Sequence, residues 1–451
     1  MSVVCGNSHG WVVDSQSFID QGCSRCIRFQ DNLKLRVQCR FKSQWFRVLK
    51  SHMCLSSSAW SDGGDSETVH NTNRPTKRRK RRHHELNQGE IDLQSFHEKI
   101  RLAVLEGTRS LVELAQSLGF LCGATDTASE PPPTQDCGLA ALCEMAKAFP
   151  LVDAPEQCIQ QLPADGGRAP HVDFFSRVTE NGGDCAAVVT LMGQEYVMPP
   201  CTAFLLSDFS RIDPLVHYGK MFDLIVIDPP WENKSVKRKR GYSSLSSTQL
   251  KRLPLPLLTS PNCLVATWVT NRQSHLRFVR DELYPHWGVQ VLAEWLWVKV
   301  TTSGQFVFPL DSNHKKPYEV LVLGRYQTST VKSTSDRSDV PLEDQRLIVS
   351  IPSALHSQKP SLSEVLKPYV GAEAKRLELF ARSLHPGWTS WGNEVLKFQH
   401  TSYFNVTPTD DGGSIPEGEA ANGTTAKADV TPVLSSPGES CPPRHRPVAV
   451  D

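Results

Sequence analysis

At 451 residues, with 49 Lys and Arg against 48 Asp and Glu, the chain has a net charge of +1 and is long enough for two domains with real cores plus tails. That near-balance excludes a global attraction to nucleic acid, so any such binding must come from local patches. No run approaches the ~18 consecutive apolar residues of a membrane span, the N-terminus lacks the apolar core of a secretory signal, and thirteen scattered cysteines suit a reducing compartment.

Residues 1–84 read as a disordered basic leader. Cys23-Ser24-Arg25-Cys26, followed by Cys39, His52 and Cys54, has some ingredients of a zinc site. A lone CxxC with irregular partners falls short of one, and no metal is expected. Between Arg25 and Lys50 eight basic residues stand against one acid, Asp31, a bias shared by mitochondrial targeting peptides and by unstructured leaders. Arg74 to Arg82 is the densest charge run. Such runs are solvated and self-repelling, and this one reads as a nuclear import signal or a nucleic-acid-binding arm. The expected location is the nucleus, with cytoplasm or mitochondrion as the alternative.

Residues 85–200 read as an accessory, mainly helical domain. Ile91, Leu93, Ile100, Leu102, Val104 and Leu105 are spaced for buried helix faces. Gly107 is a plausible break, Leu111 to Leu118 forms a second helix, and Leu139 to Phe149 a third. Val188 to Leu191 and Tyr196 to Met198 flank Gly193-Gln194 as a small hairpin.

From 201 to 400 strand and helix signals alternate, which predicts an α/β, Rossmann-like, doubly wound sheet. The expected strands are Ala203 to Leu206, Leu224 to Ile227, Cys263 to Val269, Val289 to Val300, Glu319 to Gly324, Arg346 to Ser350 and Leu377 to Phe380. Phe278 to Leu283 belongs to a helix. Beyond 401 Gly, Pro, Ser and Thr dominate and a disordered tail is predicted.

The chemistry concentrates at Phe222 to Trp231, FDLIVIDPPW. Leu224 to Ile227 is a continuous apolar run with β-branched residues, as in a strand buried on both faces. Pro229 and Pro230 cannot extend a ladder, so the strand stops at Asp228. A carboxylate, a rigid backbone with free carbonyls and Trp231 then sit at the carboxyl end of a strand, where open α/β sheets bind ligands. The exocyclic amine of adenine is a poor nucleophile because its lone pair is delocalised. Asp228 and the Pro229 carbonyl can both accept from that amine and aim it at an electrophile, while Trp231 offers a stacking face. A sulfonium methyl as electrophile needs neither a metal nor a strong base.

Two loops follow. Glu232 to Ser244 carries Lys234, Lys237, Arg238, Lys239 and Arg240 and then Tyr242, suited to a clamp on a nucleic-acid backbone. Gln305 to Tyr318 carries His314, Lys315 and Lys316, a basic group able to hold a phosphate. Trp268, Trp295 and Trp297 are expected to pack in the core, with Asn271 and Arg272 supporting the pocket floor.

Asp228-Pro229-Pro230-Trp231 resembles the signature of the MT-A70 family of adenine-N6 methyltransferases. The runs VKRKRGYSSLS, TWVTNRQSHLRF, HKKPYEVLVLG and LELFARSLHPGWTSWGNEVLKF are similar to its methyltransferase-like protein 4 branch. The resemblance is strong over about 200 to 400. It implies a permuted motif order, S-adenosyl-L-methionine as methyl donor, and Tyr242 beside a flipped base. Leu377 to Arg382 resembles the family's cofactor strand, with Ala381 where relatives often have Gly. The resemblance further implies that Arg382, Asn393 and Glu394 lie near the donor's ribose, that Lys359 meets its carboxylate, and that Asp208, followed by Phe209, receives its adenine amine. It implies as substrate 2′-O-methyladenosine in U2 small nuclear RNA, or deoxyadenosine in DNA, and a monomer to which a protein partner can add. The alternative is a non-catalytic RNA- or protein-binding subunit, a class in which the tetrapeptide is lost.

Overall fold

All six residues of Phe222–Ile227 are buried, because the strand they form is covered on both faces. A computed structural model describes residues 2–30, 33–48, 87–123, 138–150, 159–162, 173–232, 245–312, 315–327, 340–355 and 357–409. Met1–Ser414 is one compact unit, and the second, Ile415–Asp451, lies outside the described residues.

In chain order the strands are β1 (Val3–Asn7), β2 (Gly10–Val13), β3 (Cys26–Gln30), β4 (Leu33–Phe41), β5 (Ile159–Gln161), β6 (Val178–Asn181), β7 (Ala186–Leu191), β8 (Gln194–Met198) and β9 (Thr202–Leu206). They continue with β10 (Phe222–Ile227), β11 (Thr259–Val269), β12 (Val289–Lys299), β13 (Tyr318–Tyr326), β14 (Leu347–Ser350), β15 (Arg376–Leu379), β16 (Trp388–Gly392) and β17 (Phe404–Pro408). Among the described residues twelve of them make one sheet, ordered β1-β2-β14-β12-β13-β11-β10-β15-β16-β9-β6-β5. Its centre, β11-β10-β15-β16-β9, is parallel, and β13 runs antiparallel to both β11 and β12. This is the expected α/β methyltransferase sheet.

Alternation along the strands divides the core in two. Ile225, Ile227, Leu377 and Leu379 join Ile100, Val104 and Leu111 of the helix Gln88–Ser117 on one face. Leu224, Val226 and Trp268 join Val365, Leu366 and Tyr369 of the helix Ser363–Val370 on the other.

The chain departs from expectation at both ends. Residues 3–30 and 33–46 are not a disordered leader: β1 and β2 extend the main sheet, and β3 and β4 join β7, β8 and β17 in a second sheet. The bias toward basic residues conceals a period of two. Val37, Cys39 and Phe41 are buried while Arg36 and Arg40 face solvent, so the cations are the wet side of a strand. Gly10, at φ +149°, runs so close to β14 that a Cβ there would stand 1.9 Å from the Leu347 carbonyl oxygen. Cys23, Cys26 and Cys39 are buried free thiols. Burial pushes the Cys23 thiol up, and a hydrogen bond with Cys39 does the same for Cys26. His52, Cys54 and the Arg74–Arg82 run lie outside the described residues.

The tail, too, begins as structure, since β17 pairs with β4. Gly107 breaks nothing: Gln88–Ser117 is one helix, opened by a capping box between Asn87 and Glu90. A Cβ at Gly107 would meet Leu347 Cδ1 at 2.7 Å, so the glycine admits β14. The hairpin of β7 and β8 turns at Met192 and Gly193, both at positive φ. Phe278–Leu283 is the π-helical centre of a helical stretch, and β16 is a strand that the sequence reading lacks.

Candidate active site

Two parallel neighbours, β10 and β15, part company at their carboxyl ends. The chain leaves β10 for β11 on one side and leaves β15 for β16 on the other. Such a reversal opens a crevice beyond the strand ends, the usual ligand site of an open α/β sheet. Ile227 pairs with Leu379, and the Asp228 N–H donates to the Leu379 carbonyl at 3.2 Å. The segment Asp228-Pro229-Pro230-Trp231 and the segment Phe380-Ala381-Arg382 therefore start side by side.

Asp228 is buried and gripped on both oxygens. Lys359 Nζ lies 3.3 Å from Oδ1, and Arg382 donates to Oδ2 at 2.9 Å. The ion pairs continue outward. Lys359 also meets Glu319 at 3.1 Å and Glu319 meets Lys299, while Arg382 meets Glu394 at 3.4 Å and Glu394 meets Lys397 at 2.8 Å. Signs alternate along the whole chain, which compensates charges that burial alone would penalise. Burial would raise Glu319, but Lys359 and Lys299 bring its carboxyl down to about 2. Burial would lower Lys359, but Asp228 and Glu319 hold its ammonium above the ordinary range. Each Asp228 oxygen retains acceptor capacity for a further N–H.

The two prolines hold a tight bend. The Pro229 carbonyl accepts from the Trp231 N–H at 2.8 Å, and its second lone pair is available; the Pro230 carbonyl accepts from Leu245 at 3.2 Å. Trp231 is fixed twice. Its Nε1 donates to the Trp268 carbonyl at 2.9 Å, and its ring stacks on His275 at 4.7 Å and 18°. Burial and Arg272 push His275 down to about 4, so the imidazole beneath the indole is neutral at pH 7. One indole face is thus covered by protein. Trp268 and Trp297 are buried and meet edge to face, as expected of core residues. Asn271 donates to the Tyr318 carbonyl, and Arg272 to that of Glu232 at 3.4 Å.

The residues after β15 and β16 form a close-packed cradle. Phe380 takes a left-handed φ of 62°, a strained backbone of the kind that concentrates at ligand sites. Ala381 N–H donates to the Trp391 carbonyl at 2.9 Å. A Cβ at Gly392 would stand 2.8 Å from the Ala381 oxygen, so only glycine allows these loops to touch. Glu394 follows at once, bonded to Arg382, and the Asn393 carbonyl accepts from Cys143 Sγ at 3.7 Å. Asp208 caps the turn after β9, accepting from the Ser210 amide and hydroxyl at 2.9 Å and pairing with Lys147 at 3.4 Å. Burial would raise its carboxyl, but the Ser210 bonds and Lys147 hold it below the usual range. Phe209 packs against the main core. A cation for a carboxylate, acceptors for a ribose diol and a capped Asp at the next strand end fit the donor set that an S-adenosyl group requires.

The structure brings Asp228, Lys359, Arg382 and Glu394 into one bonded chain. The Lys316 side chain is half-buried. That side chain lines a cavity against the helix Gln88–Ser117 with His97, Arg101 and Asp311, and its ammonium donates to the Leu310 carbonyl at 3.3 Å. Lys315 lies over the Phe308 ring at 5.2 Å. Lys234, Arg238, Arg240, Tyr242 and His314 lie outside the described residues. Glu319, Gln358, Glu378 and His385 are site residues that the sequence reading lacks. The signal for two of them was present: Glu319 in Tyr318-Glu-Val-Leu-Val and Glu378 in Arg376-Leu-Glu-Leu each interrupt a strand otherwise apolar enough to be buried.

The family model for MT-A70 matches residues 222–394, from the start of β10 to the end of the cradle. The chain is 53% identical over 326 residues to the human N(6)-adenine-specific methyltransferase METTL4, covering 71% of this chain and 69% of the relative. It is 34% identical to the N6-methyladenosine RNA methyltransferase MTA1 of Pyricularia oryzae, over 54% of this chain and 65% of that one. It is also 34% identical to a DNA N6-methyl methyltransferase of Caenorhabditis elegans, over 48% and 58%. Among the described residues no helix is long and apolar enough to cross a membrane. With the tetrapeptide at the switch point of its sheet and this likeness over more than two thirds of its length, the chain belongs to the MT-A70 methyltransferase family, on the METTL4 branch.

Proposed function

We propose that this protein methylates N6 of adenine in nucleic acid with S-adenosylmethionine as donor, and that its preferred target is 2′-O-methyladenosine in a small nuclear RNA such as U2, with deoxyadenosine in DNA as the second candidate. The observation that carries the reading is Asp228, buried at the switch point with both oxygens anchored and acceptor capacity to spare. When bound, the donor supplies a sulfonium methyl, an electrophile strong enough for a weak amine once the two are aligned.

The chain's own work is then positioning. Asp228 and the Pro229 carbonyl accept from the exocyclic amine, which concentrates its lone pair and fixes its direction. Asp228 is also the first acceptor for the proton that the amine sheds. Lys359 and Arg382 hold that carboxylate stationary. The exposed part of Trp231, stiffened from behind by neutral His275, confines the base, a contact worth about 1–3 kcal/mol. Lys359 meets the donor's carboxylate, Asp208 its adenine amine, and Arg382, Asn393 and Glu394 its ribose, with Phe209 beside the adenine. Lys234, Arg238, Arg240 and Tyr242 follow the tetrapeptide directly and serve as the backbone clamp, with Lys315 on the opposite loop. A target atom inside a duplex is out of reach, so the adenine is single-stranded or flipped. The Arg74–Arg82 run suits nuclear import, and the protein acts as a monomer to which a partner can add.

The relatives support a nucleic-acid target of either kind, since the fungal one is named for RNA and the nematode one for DNA. Three oligonucleotides identical but for the target's 2′ group (hydroxyl, O-methyl or hydrogen) test the preference. The expected order of initial rates places O-methyl first. A faster rate on the deoxy oligonucleotide would make DNA the substrate, and no methylation of any of them, with donor binding intact, would favour a non-catalytic binding subunit.

A further inference from the structure

A cavity of about 290 Å³ separates the first turns of the helix Gln88–Ser117 from the loop that returns to β13. The helix lines it with the face that runs from Glu90 to Arg101, and the loop lines it with Asp311 and Lys316. Both walls are tied to the catalytic corner. Asp92 pairs at 2.9 Å with Arg277, in the helical segment Gln273–Arg277 that carries His275 under the Trp231 ring. His97 stacks on Tyr318, with Nδ1 3.1 Å from its hydroxyl. The Tyr318 carbonyl accepts from Asn271, just beyond Trp268, whose own carbonyl holds Trp231. Much of the lining is satisfied within the protein. Glu90 closes the capping box with Asn87, and Asp311 is held by Arg101 at 2.7 and 2.9 Å and by His97 at 3.2 Å. Three polar groups remain. Among the described residues Gln94 and Glu98 have no hydrogen-bond partner, and the Lys316 ammonium, with three donors, has only the Leu310 carbonyl. Burial draws that ammonium below its ordinary range, against Asp311 and Glu98.

We propose that this groove seats the nucleotide next to the target adenine in the chain, with Lys316 on its phosphate and Gln94 and Glu98 reading the edge of its base. The inference rests on the target being an adenine of a nucleic acid held at Asp228, and it gives that site a sequence preference. A free cation suits the backbone, and a free carboxylate with a free amide suits a base edge. Gln94 and Glu98 stand four apart on the helix, so they share a face. A carboxylate only accepts and an amide does both. Together they fit a base with an exocyclic amine beside a ring acceptor, as in cytosine and guanine. Uracil has a carbonyl on each side of its one N–H and would set an oxygen against the carboxylate. Leu93 adds apolar surface between the polar groups. Arg101 and His97, by gripping Asp311, hold the opposite wall in place before any ligand arrives, which lowers the ordering cost of binding. The helix precedes the segment 222–394 that the MT-A70 model matches, and only Asp311 and Lys316 of the lining fall inside it. The base preference therefore belongs to the accessory helix rather than to the catalytic unit.

Methylation of single-stranded RNA oligonucleotides by the full chain tests this. Each carries one target adenine, with C, G or U placed in turn at the position before it and at the position after it. At one of these positions the wild type is expected to disfavour U in kcat/KM by ~5- to 100-fold. In the double variant Gln94→Ala/Glu98→Ala the C and G oligonucleotides are expected to fall to within about twofold of the U one. Lys316→Met is expected to raise KM about equally for all three and to make binding less sensitive to salt. Calorimetry with S-adenosylhomocysteine is expected to give one donor affinity for wild type and variants, which a damaged catalytic corner would not, and unfolding curves confirm that the variants are folded. Equal kcat/KM for the three bases at both positions in the wild type, or a bias against U that survives in the folded double variant, would overturn the base pocket. An unchanged KM in Lys316→Met would overturn the phosphate contact. If the wild type methylated none of the oligonucleotides, the catalytic reading would fail, and the same comparisons made as RNA affinities by fluorescence anisotropy would decide the groove by itself.

Discussion

Replacing Asp228 with Ala is expected to abolish methyl transfer, lowering the rate by at least about 10³-fold, while the protein stays folded and keeps its affinity for RNA. Removing one well-placed polar contact to a reacting group costs about 10²–10³ in rate, and here the same side chain is also the first stop for the departing proton. The fold should tolerate the loss because the neighbours it strands retain partners: Lys359 keeps Glu319 and Arg382 keeps Glu394. Initial rates, circular dichroism and RNA binding on one preparation separate these effects. A variant that still turns over at more than about a tenth of the wild-type rate would remove Asp228 from the reaction.

Lys359→Met is expected to have the largest combined effect on stability and ligand binding. The ammonium is buried and shared between Asp228 at 3.3 Å and Glu319 at 3.1 Å. Taking one partner out of a buried ion network costs about 3–5 kcal/mol. Lys299 still neutralises Glu319 and Arg382 still neutralises Asp228, so the lower end of that range is expected. The loss should depend on pH in a specific direction. Glu319 is held down at about 2 when folded, against an ordinary value of 4.5. Its contribution is therefore complete above pH 4.5 and disappears as the pH falls toward 2. The gap between wild type and variant should be widest near neutrality and narrow through that window, as urea unfolding at a series of pH values would show. A constant gap would mean that Lys359 stabilises by packing alone. Donor affinity should fall at least tenfold in the same variant, since its carboxylate loses a cation.

How much of this was legible in the sequence depended on which force decided each feature. The centre of the sheet was readable because a strand covered on both faces must be largely apolar, and β10 is continuously so over Leu224–Ile227. The position of Asp228 followed from the two prolines, which end a ladder by chemistry rather than by preference. The N-terminal strands were not readable for the opposite reason: β4 buries only every second residue, and the intervening Lys and Arg read as a charged leader. Gly107 looked like a helix break because a glycine lowers helix propensity, yet tertiary packing against Leu347 decided the matter. The cradle strand β16 escaped notice because Trp388–Gly392 is short and mixes Thr and Ser with its tryptophans.

In the site itself, identities were easier to anticipate than pairings. Lys359, Arg382 and Glu394 were expected near the donor, but nothing in their spacing revealed that they form one chain of alternating charge through Asp228. Lys316 shows how the fold adds a neighbour that spacing does not reveal. A basic pair in a loop suggests a phosphate, and the fold also turns this lysine toward the helix Gln88–Ser117. Glu319 and Glu378 were within reach of a simpler rule: a carboxylate inside a strand apolar enough to be buried must have a partner or a task. Glu319 has Lys299 and Lys359. Among the described residues Glu378 pairs with a neutral imidazole alone, His385 at 3.5 Å, which is why it stands out.

The most direct test of the whole account is the position of the transferred methyl. Purified full-length protein, donor labelled in the methyl group and an adenine-containing RNA oligonucleotide are incubated together. The RNA is then digested to nucleosides and read by mass spectrometry. The label is expected on N6 of adenine with wild-type protein and nowhere with Asp228→Ala. Label on a ring nitrogen, on a ribose oxygen or on another base, or equal labelling by the variant, would contradict it.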